Sequence, residues 1–210
     1  MSDARPDFGI HTASLDEVGC VIDTLADGFL DGDLANWLIP DRPTRRTVYA
    51  EYFRIFAEFF LMHGQVDATE DVDAVALWWP VGDYIDMPIP DYDERLAKIT
   101  GDAVGRFVML DMTMHVHHPQ FRPHHYLAFL AVQPDCQGQG IGGALLQHRL
   151  EQLDKEGVPA YLEATGIQTR TLYEHFGFRM TFPLDMPNGP TLVPMWRPGT
   201  YGLTGATDPR

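Results

Sequence analysis

The stretch from Tyr126 to Val132 is aromatic or aliphatic at every position; Pro134 ends it, and Gly138, Gly140, Gly142 and Gly143 precede a helical repeat over 144–153. An unbroken run of this kind suits a strand covered on both faces, which puts helices on either side of a sheet. Strand, glycine loop and helix together make an anion-binding arrangement. Glycines let the backbone approach a pyrophosphate without Cβ clashes. The N–H groups of the loop and first helical turn have no helical acceptor, and the helix dipole favours negative charge there. No basic side chain is required.

That last point matters because the chain is acidic, with a formal net charge of -15 over 210 residues. Such a charge repels nucleic-acid backbones and anionic membranes, so neither is an expected partner, whereas a cationic, amine-bearing molecule is attracted. The length suits one domain over 1–210, with loose tails at 1–7 and about 199–210. No apolar run approaches the roughly 18–20 residues of a membrane span, and the first residues lack a signal-peptide pattern. Two cysteines, Cys20 and Cys136, cannot form a disulfide framework, so a cytoplasmic setting is expected. Cys136 borders the glycine loop, but spacing suggests no His-Asp partner for it.

Periodicity organises the rest of the chain. Phe8 to Thr12 reads as a strand, Ser14 and Glu17 match a capping box, and Val18, Ile22, Leu25 and Phe29 follow at helical spacing. Gly28 and Asp31-Gly32-Asp33 end that helix. Pro43 stands where a second helix begins, and Tyr49, Tyr52, Phe53, Phe56, Phe59 and Phe60 form its apolar stripe. Most of the stripe is read as core, with one or two rings left to face a substrate. Strands are expected over 64–69 and 74–79, a loop over 81–92, and a helix over 93–114 interrupted at Gly101 or Gly105. Beyond the helix at 144–153 come a strand at 160–163, a short helix with Leu172, Tyr173 and Phe176, and two strands joined by Pro187-Asn188-Gly189-Pro190.

Three ligand classes fit a glycine loop. A nucleoside triphosphate needs a Lys followed by Ser or Thr, which this loop lacks. A dinucleotide is imitated closely: Gly138, Gly140 and Gly143 satisfy G-x-G-x-x-G, and Glu163 falls about 20 residues later. Yet the chain after Glu163 reads as one helix and a hairpin, not as further βαβ units. The third class is coenzyme A. Leu130-Ala131-Val132-x-Pro134-x-x-Gln137-Gly138-x-Gly140-Ile141-Gly142 resembles the acetyl-CoA signature of the GNAT superfamily of N-acetyltransferases. Leu172-Tyr173-Glu174-His175-Phe176-Gly177-Phe178 resembles that family's L-Y-x-x-x-G-F block, about 35 residues downstream. The loop and the 158–163 segment also resemble puromycin N-acetyltransferase-like members.

The resemblance implies an α/β (α+β) fold: a mixed, mostly antiparallel sheet flanked by helices, with a splayed parallel strand pair holding acyl-CoA. It implies acetyl transfer from acetyl-CoA, without a metal, to a primary amine of a small molecule, by a monomer or homodimer. Residues implied for the coenzyme are Leu130, Ala131, Val132, Gln137, Gly138, Gln139, Gly140, Ile141, Gly142, Gly143, Thr169 and Tyr173. Thr169 stands where many members carry an Asn. Tyr173 is implied as the acid that serves the leaving thiol, and the Val132 N–H as the oxyanion donor. Glu163 is the candidate base or orienting carboxylate; the glutamate that some members carry near His125 and Tyr126 is absent. Asp31, Asp33, Trp37, Tyr84, His125 and Tyr126 are the expected acceptor-side residues. His115, His117, His118, His124 and His125 cluster, but with no nearby Cys and no H-E-x-x-H they read as a wet loop or site rim, not a metal site.

Overall fold

The computed structural model describes residues 7–200, and the tails expected at 1–7 and about 199–210 lie, except for residues 7, 199 and 200, outside the described residues. The chain begins with β1 (His11–Thr12), then α1 (Val18–Gly28), α2 (Asp33–Leu38), α3 (Arg42–His63), β2 (Gln65–Ala68) and β3 (Ala74–Val81). Next come α4 (Tyr92–Thr100), α5 (Val104–His117), β4 (His124–Val132), α6 (Ile141–Glu156) and β5 (Ala160–Ala164). The last elements are α7 (Ile167–His175), β6 (Arg179–Met180), β7 (Leu184–Asp185) and β8 (Thr191–Arg197). The sheet runs β1-β2-β3-β4-β5-β8-β6, with β7 also on β8. Every pairing is antiparallel except β4 with β5. This is the mixed, mostly antiparallel sheet that the motifs implied.

Local chemistry sets the helix ends. Glu17 Oε2 accepts from the Ser14 N–H at 2.8 Å, and a single 3-10 turn leads into α1. Asp41 caps α3 by accepting from the Thr44 N–H at 2.9 Å, with proline in the first turn. Gly101, at φ +51, breaks α4 from α5. Gly9, at φ +57, bends the chain out of extension, so β1 is shorter than the 8–12 strand expected. The helix α2 has only six residues, too few for its periodicity to show in the sequence. The strand expected near 179–184 is two short pairings on β8, separated by Thr181 to Pro183.

Two cores sandwich the sheet. Val75 and Leu77 of β3 join Leu25, Phe53, Ile55 and Phe60 from α1 and α3 on one face. Ala74, Ala76 and Trp78 join Leu145, Leu146 and Leu150 of α6 on the other. The period of two along β3 thus assigns alternate side chains to opposite cores. A buried ion pair fixes α6 to the sheet: Arg149 Nε and Nη2 donate to Asp67 Oδ2 and Oδ1 at 2.9 and 2.6 Å. Asp67 is fully buried. Asp67→Ala strands the guanidinium there, and urea denaturation is expected to show a loss of about 3–5 kcal/mol.

Candidate active site

The parallel pair β4–β5 holds for two rungs only, His125↔Ala160 and Tyr126↔Tyr161. Beyond them β5 continues on β8 and β4 continues on β3, so the two strands part and leave a wedge. A bulge sets what β4 offers to that wedge. The register passes from Leu77↔Phe129 to Trp78↔Leu127, so Ala128 is an extra residue in β4. Before the bulge, His125 N–H points at Pro159 O on the β5 side; after it, Gln133 N–H points at Asp73 O on the β3 side. These positions are an even number of residues apart, so without the bulge both would face the same way. The bulge therefore turns the N–H and C=O groups of Leu130 and Val132 toward the open wedge.

At the wide end of the wedge lies the glycine loop. Gly138 and Gly140 sit at φ +76 and +84, a region L side chains rarely adopt. Gly140 is the N-cap of α6, and Ala144 N–H is the first to bond back, to Gly140 O at 3.0 Å. The amides of Ile141, Gly142 and Gly143 thus have no acceptor within the helix. A Cβ built at Gly138 or Gly140 meets nothing within 4 Å, so the space in front of the loop is open. The Gln137 side chain donates to Val132 O at 3.0 Å and that of Gln139 to Asp135 O at 3.3 Å, tying the loop to its strand. Loop, dipole and open space fit a pyrophosphate.

The family model for acetyltransferases (GNAT) matches residues 78–178, which span the wedge, the loop and α7. Those residues carry a GNAT acetyltransferase domain. The chain is 26% identical over 171 residues to an uncharacterized N-acetyltransferase of Schizosaccharomyces pombe, covering 74% of this chain and 68% of that one. Among solved structures it resembles the histone acetyltransferase HPA2 and related acetyltransferase from Corynebacterium glutamicum, with TM-score 0.65, 24% identity and coverage of 93% and 98%. It also resembles arylalkylamine N-acetyltransferase 2 from Aedes aegypti, with TM-score 0.63, 17% identity and coverage of 90% and 97%. The protein is therefore an acyltransferase of a family whose general cosubstrate is acetyl-CoA.

In this GNAT enzyme a cavity of about 460 Å³ adjoins the narrow part of the wedge. Leu130, Tyr126, Glu163, Thr169 and Tyr173 reach it from β4, β5 and α7. Tyr173 is buried, and burial pushes its phenol above the usual tyrosine range. Thr169 donates its hydroxyl proton to Gly166 O at 2.8 Å, so it serves its own helix start. The Glu163 side chain is only 4% exposed, and its Oε1 has no hydrogen-bond partner. Burial raises its pKa to about 7, opposed by the nearby hydroxyls of Tyr126 and Tyr161. Those hydroxyls lie near the carboxyl without an aligned hydrogen bond, and Tyr161 Oη is itself unpartnered.

Three histidines of the cluster lie inside the protein, not in a wet loop. His118 and His124 are buried and stacked, with Nε2 atoms 3.0 Å apart. His124 Nδ1 lies 2.5 Å from Arg122 O, which can only accept, so that nitrogen carries the proton. Burial lowers the pKa of both rings, that of His118 to about 3, so both are neutral. His124 Nε2 then accepts from His118 Nε2–H, and His118 Nδ1 is left as a lone pair 3.9 Å from Glu163 Oε1. A proton on Glu163 complements that lone pair. His125 is half-buried, has an unpartnered Nδ1, and does not line the cavity. Among the described residues, no group of three His, Cys, Asp or Glu side chains could hold a metal ion, and no helix is long and apolar enough to cross a membrane.

Other acceptor-side expectations divide in the same way. Asp31 and Asp33 line the cavity mouth, but Asp31 is held by Arg42 at 2.8 and 2.9 Å. Trp37 packs over Gly189 beside a separate shallow depression that includes Arg106 and Asn188. Tyr84 is exposed and meets Phe121 at 4.8 Å between ring centroids. The structure thus leaves Trp37, Tyr84 and His125 outside the cavity. Tyr49, Tyr52, Phe53 and Phe56 of the α3 stripe reach it, as do Tyr92 and Asp111. Asp111 was legible in principle: with Phe107, Leu110 and Met114 it shares one face of α5, an acid on an apolar stripe.

Proposed function

We propose that this enzyme transfers an acetyl group from acetyl-CoA to a primary amine of a small molecule, by direct attack within a ternary complex. The observation that carries the reading is the wedge between β4 and β5 opening on a walled cavity that Glu163 and Tyr173 line. The amides of 138–143 hold the pyrophosphate, and Leu130 and Val132 offer backbone groups to the pantetheine amides. The Val132 N–H is aimed into the wedge and serves the tetrahedral oxyanion. Glu163 takes a proton from the acceptor's ammonium, which frees the nitrogen lone pair that attacks the thioester carbonyl. Its pKa of about 7 leaves it half ionised near neutrality, where a general base works well. Tyr173 stays protonated at neutral pH and donates a hydrogen bond to the leaving sulfur. A cavity walled by α2, α3, α5, the 85–89 loop and the β4–β5 wedge suits a small acceptor better than an extended peptide. The mosquito relative named for arylalkylamines points the same way.

A screen of small amines with free-thiol detection tests this. Tyr173→Phe is expected to lower kcat about 100-fold while acetyl-CoA affinity stays within about threefold. If the wild-type protein and the variant both bind acetyl-CoA and neither releases thiol with any amine, catalysis is the wrong reading and the protein is an acyl-CoA-binding module.

A further inference from the structure

Asp111 is a half-buried carboxylate that neither the fold nor the acetyl-transfer chemistry explains. It stands on α5 in the wall of a cavity that Tyr52, Phe56, Tyr92 and Phe129 also line. Its Oδ2 accepts from the Tyr92 hydroxyl at 2.7 Å. No Lys or Arg lines the cavity among the described residues, whereas Asp31, Asp33, Asp86, Asp111 and Glu163 do. Of these, Asp31 is paired with Arg42 and Glu163 serves the reacting end. Placing a carboxylate among aromatic rings without a cation is costly. If its only task were to tie α4 to α5 through Tyr92, an amide would accept the same hydrogen bond without a charge. Burial accordingly raises its pKa to about 6, opposed by Tyr92 and assisted by Asp93, so it is largely ionised above neutrality.

We propose that Asp111 anchors a second, protonated nitrogen of the acceptor. The preferred acceptor is then a primary amine that reacts beside Glu163, joined through an apolar or aromatic spacer to a cationic group. This rests on the small-amine reading above and narrows it. The aromatic faces of Tyr52, Phe56 and Tyr92 add cation–π attraction around the anchored group. The tie to Tyr92 holds the carboxylate in place, and its other oxygen is left for the ligand.

The probes are a straight-chain α,ω-diamine and the n-alkylamine of the same length, titrated calorimetrically into the coenzyme A-loaded protein above neutral pH. The wild-type protein is expected to bind the diamine about 30-fold more tightly, and Asp111→Asn to remove that preference with monoamine affinity unchanged. Asparagine still accepts from Tyr92, so thermal unfolding should barely move. Equal or undetectable binding of the two amines by the wild-type protein overturns the anchor. So does an equal weakening of both amines in the variant, the mark of a purely structural tie. Acetylation of both amines from acetyl-CoA is followed in parallel. Turnover without diamine preference sinks the anchor and leaves the acetyltransferase reading intact. Asp111-dependent diamine binding without acetylated product supports the anchor and counts against acetyl transfer.

Discussion

Glu163→Gln is expected to lower kcat/KM for amine acetylation by about two to three orders of magnitude and to remove the acidic limb of its pH profile. The working form of Glu163 is the carboxylate, and burial holds its pKa at about 7. Wild-type activity therefore rises with pH through about 7, whereas glutamine has nothing to ionise there. Stability supplies an internal control with the opposite sign. The folded state binds this proton more tightly than the unfolded chain, where the ordinary value is 4.5. The contribution of Glu163 is thus fully present at low pH and is lost as pH rises from about 4.5 through 7. The glutamine variant should gain stability relative to wild type over that same window while losing activity. A variant that loses activity but keeps the acidic limb would show that another group is the base.

Gly140→Glu carries the second large effect. Gly140 has φ +84 and caps α6, so any side chain strains the backbone by about 1–2 kcal/mol. Glutamate also brings a negative charge to the amides that face the pyrophosphate. Acetyl-CoA affinity is expected to fall at least about 100-fold by calorimetry, whereas Gly140→Ala, which shares the strain without the charge, should fall far less. Equal losses in the two variants would assign the effect to strain alone. Unchanged affinity in the glutamate variant would remove the pyrophosphate from this loop.

These two positions show how legibility divides along the chain. Gly140 was readable because its requirement is local: a positive φ between a buried strand and a helix needs glycine, and the sequence displays both neighbours. The wedge was readable only through the motif, since nothing in the apolar run 126–132 marks Ala128 as the bulged residue. That single insertion decides that Leu130 and Val132 face the open side. The acceptor cavity was the least legible part. Tyr84 and Trp37 are aromatic residues in plausible loops, yet one lies on the surface and the other against Gly189. Their surroundings depend on contacts remote in sequence. His118 was hidden for the same reason. Its burial comes from Tyr126, Tyr161 and His124, residues on two strands that only the sheet brings together. The α3 stripe was correctly placed in the core, but the core itself forms one wall of the cavity, so Tyr52 and Phe56 serve both.

Everything proposed for this cavity turns on direct transfer from acetyl-CoA to an amine. The most direct measurement is to incubate the protein with acetyl-CoA bearing a labelled acetyl group, first alone and then with an accepted amine, and to follow label and free thiol by mass spectrometry. Direct transfer gives no labelled protein and negligible thiol before the amine is added, then one labelled amide formed per thiol released. Label on the protein, or thiol released without amide, would contradict it.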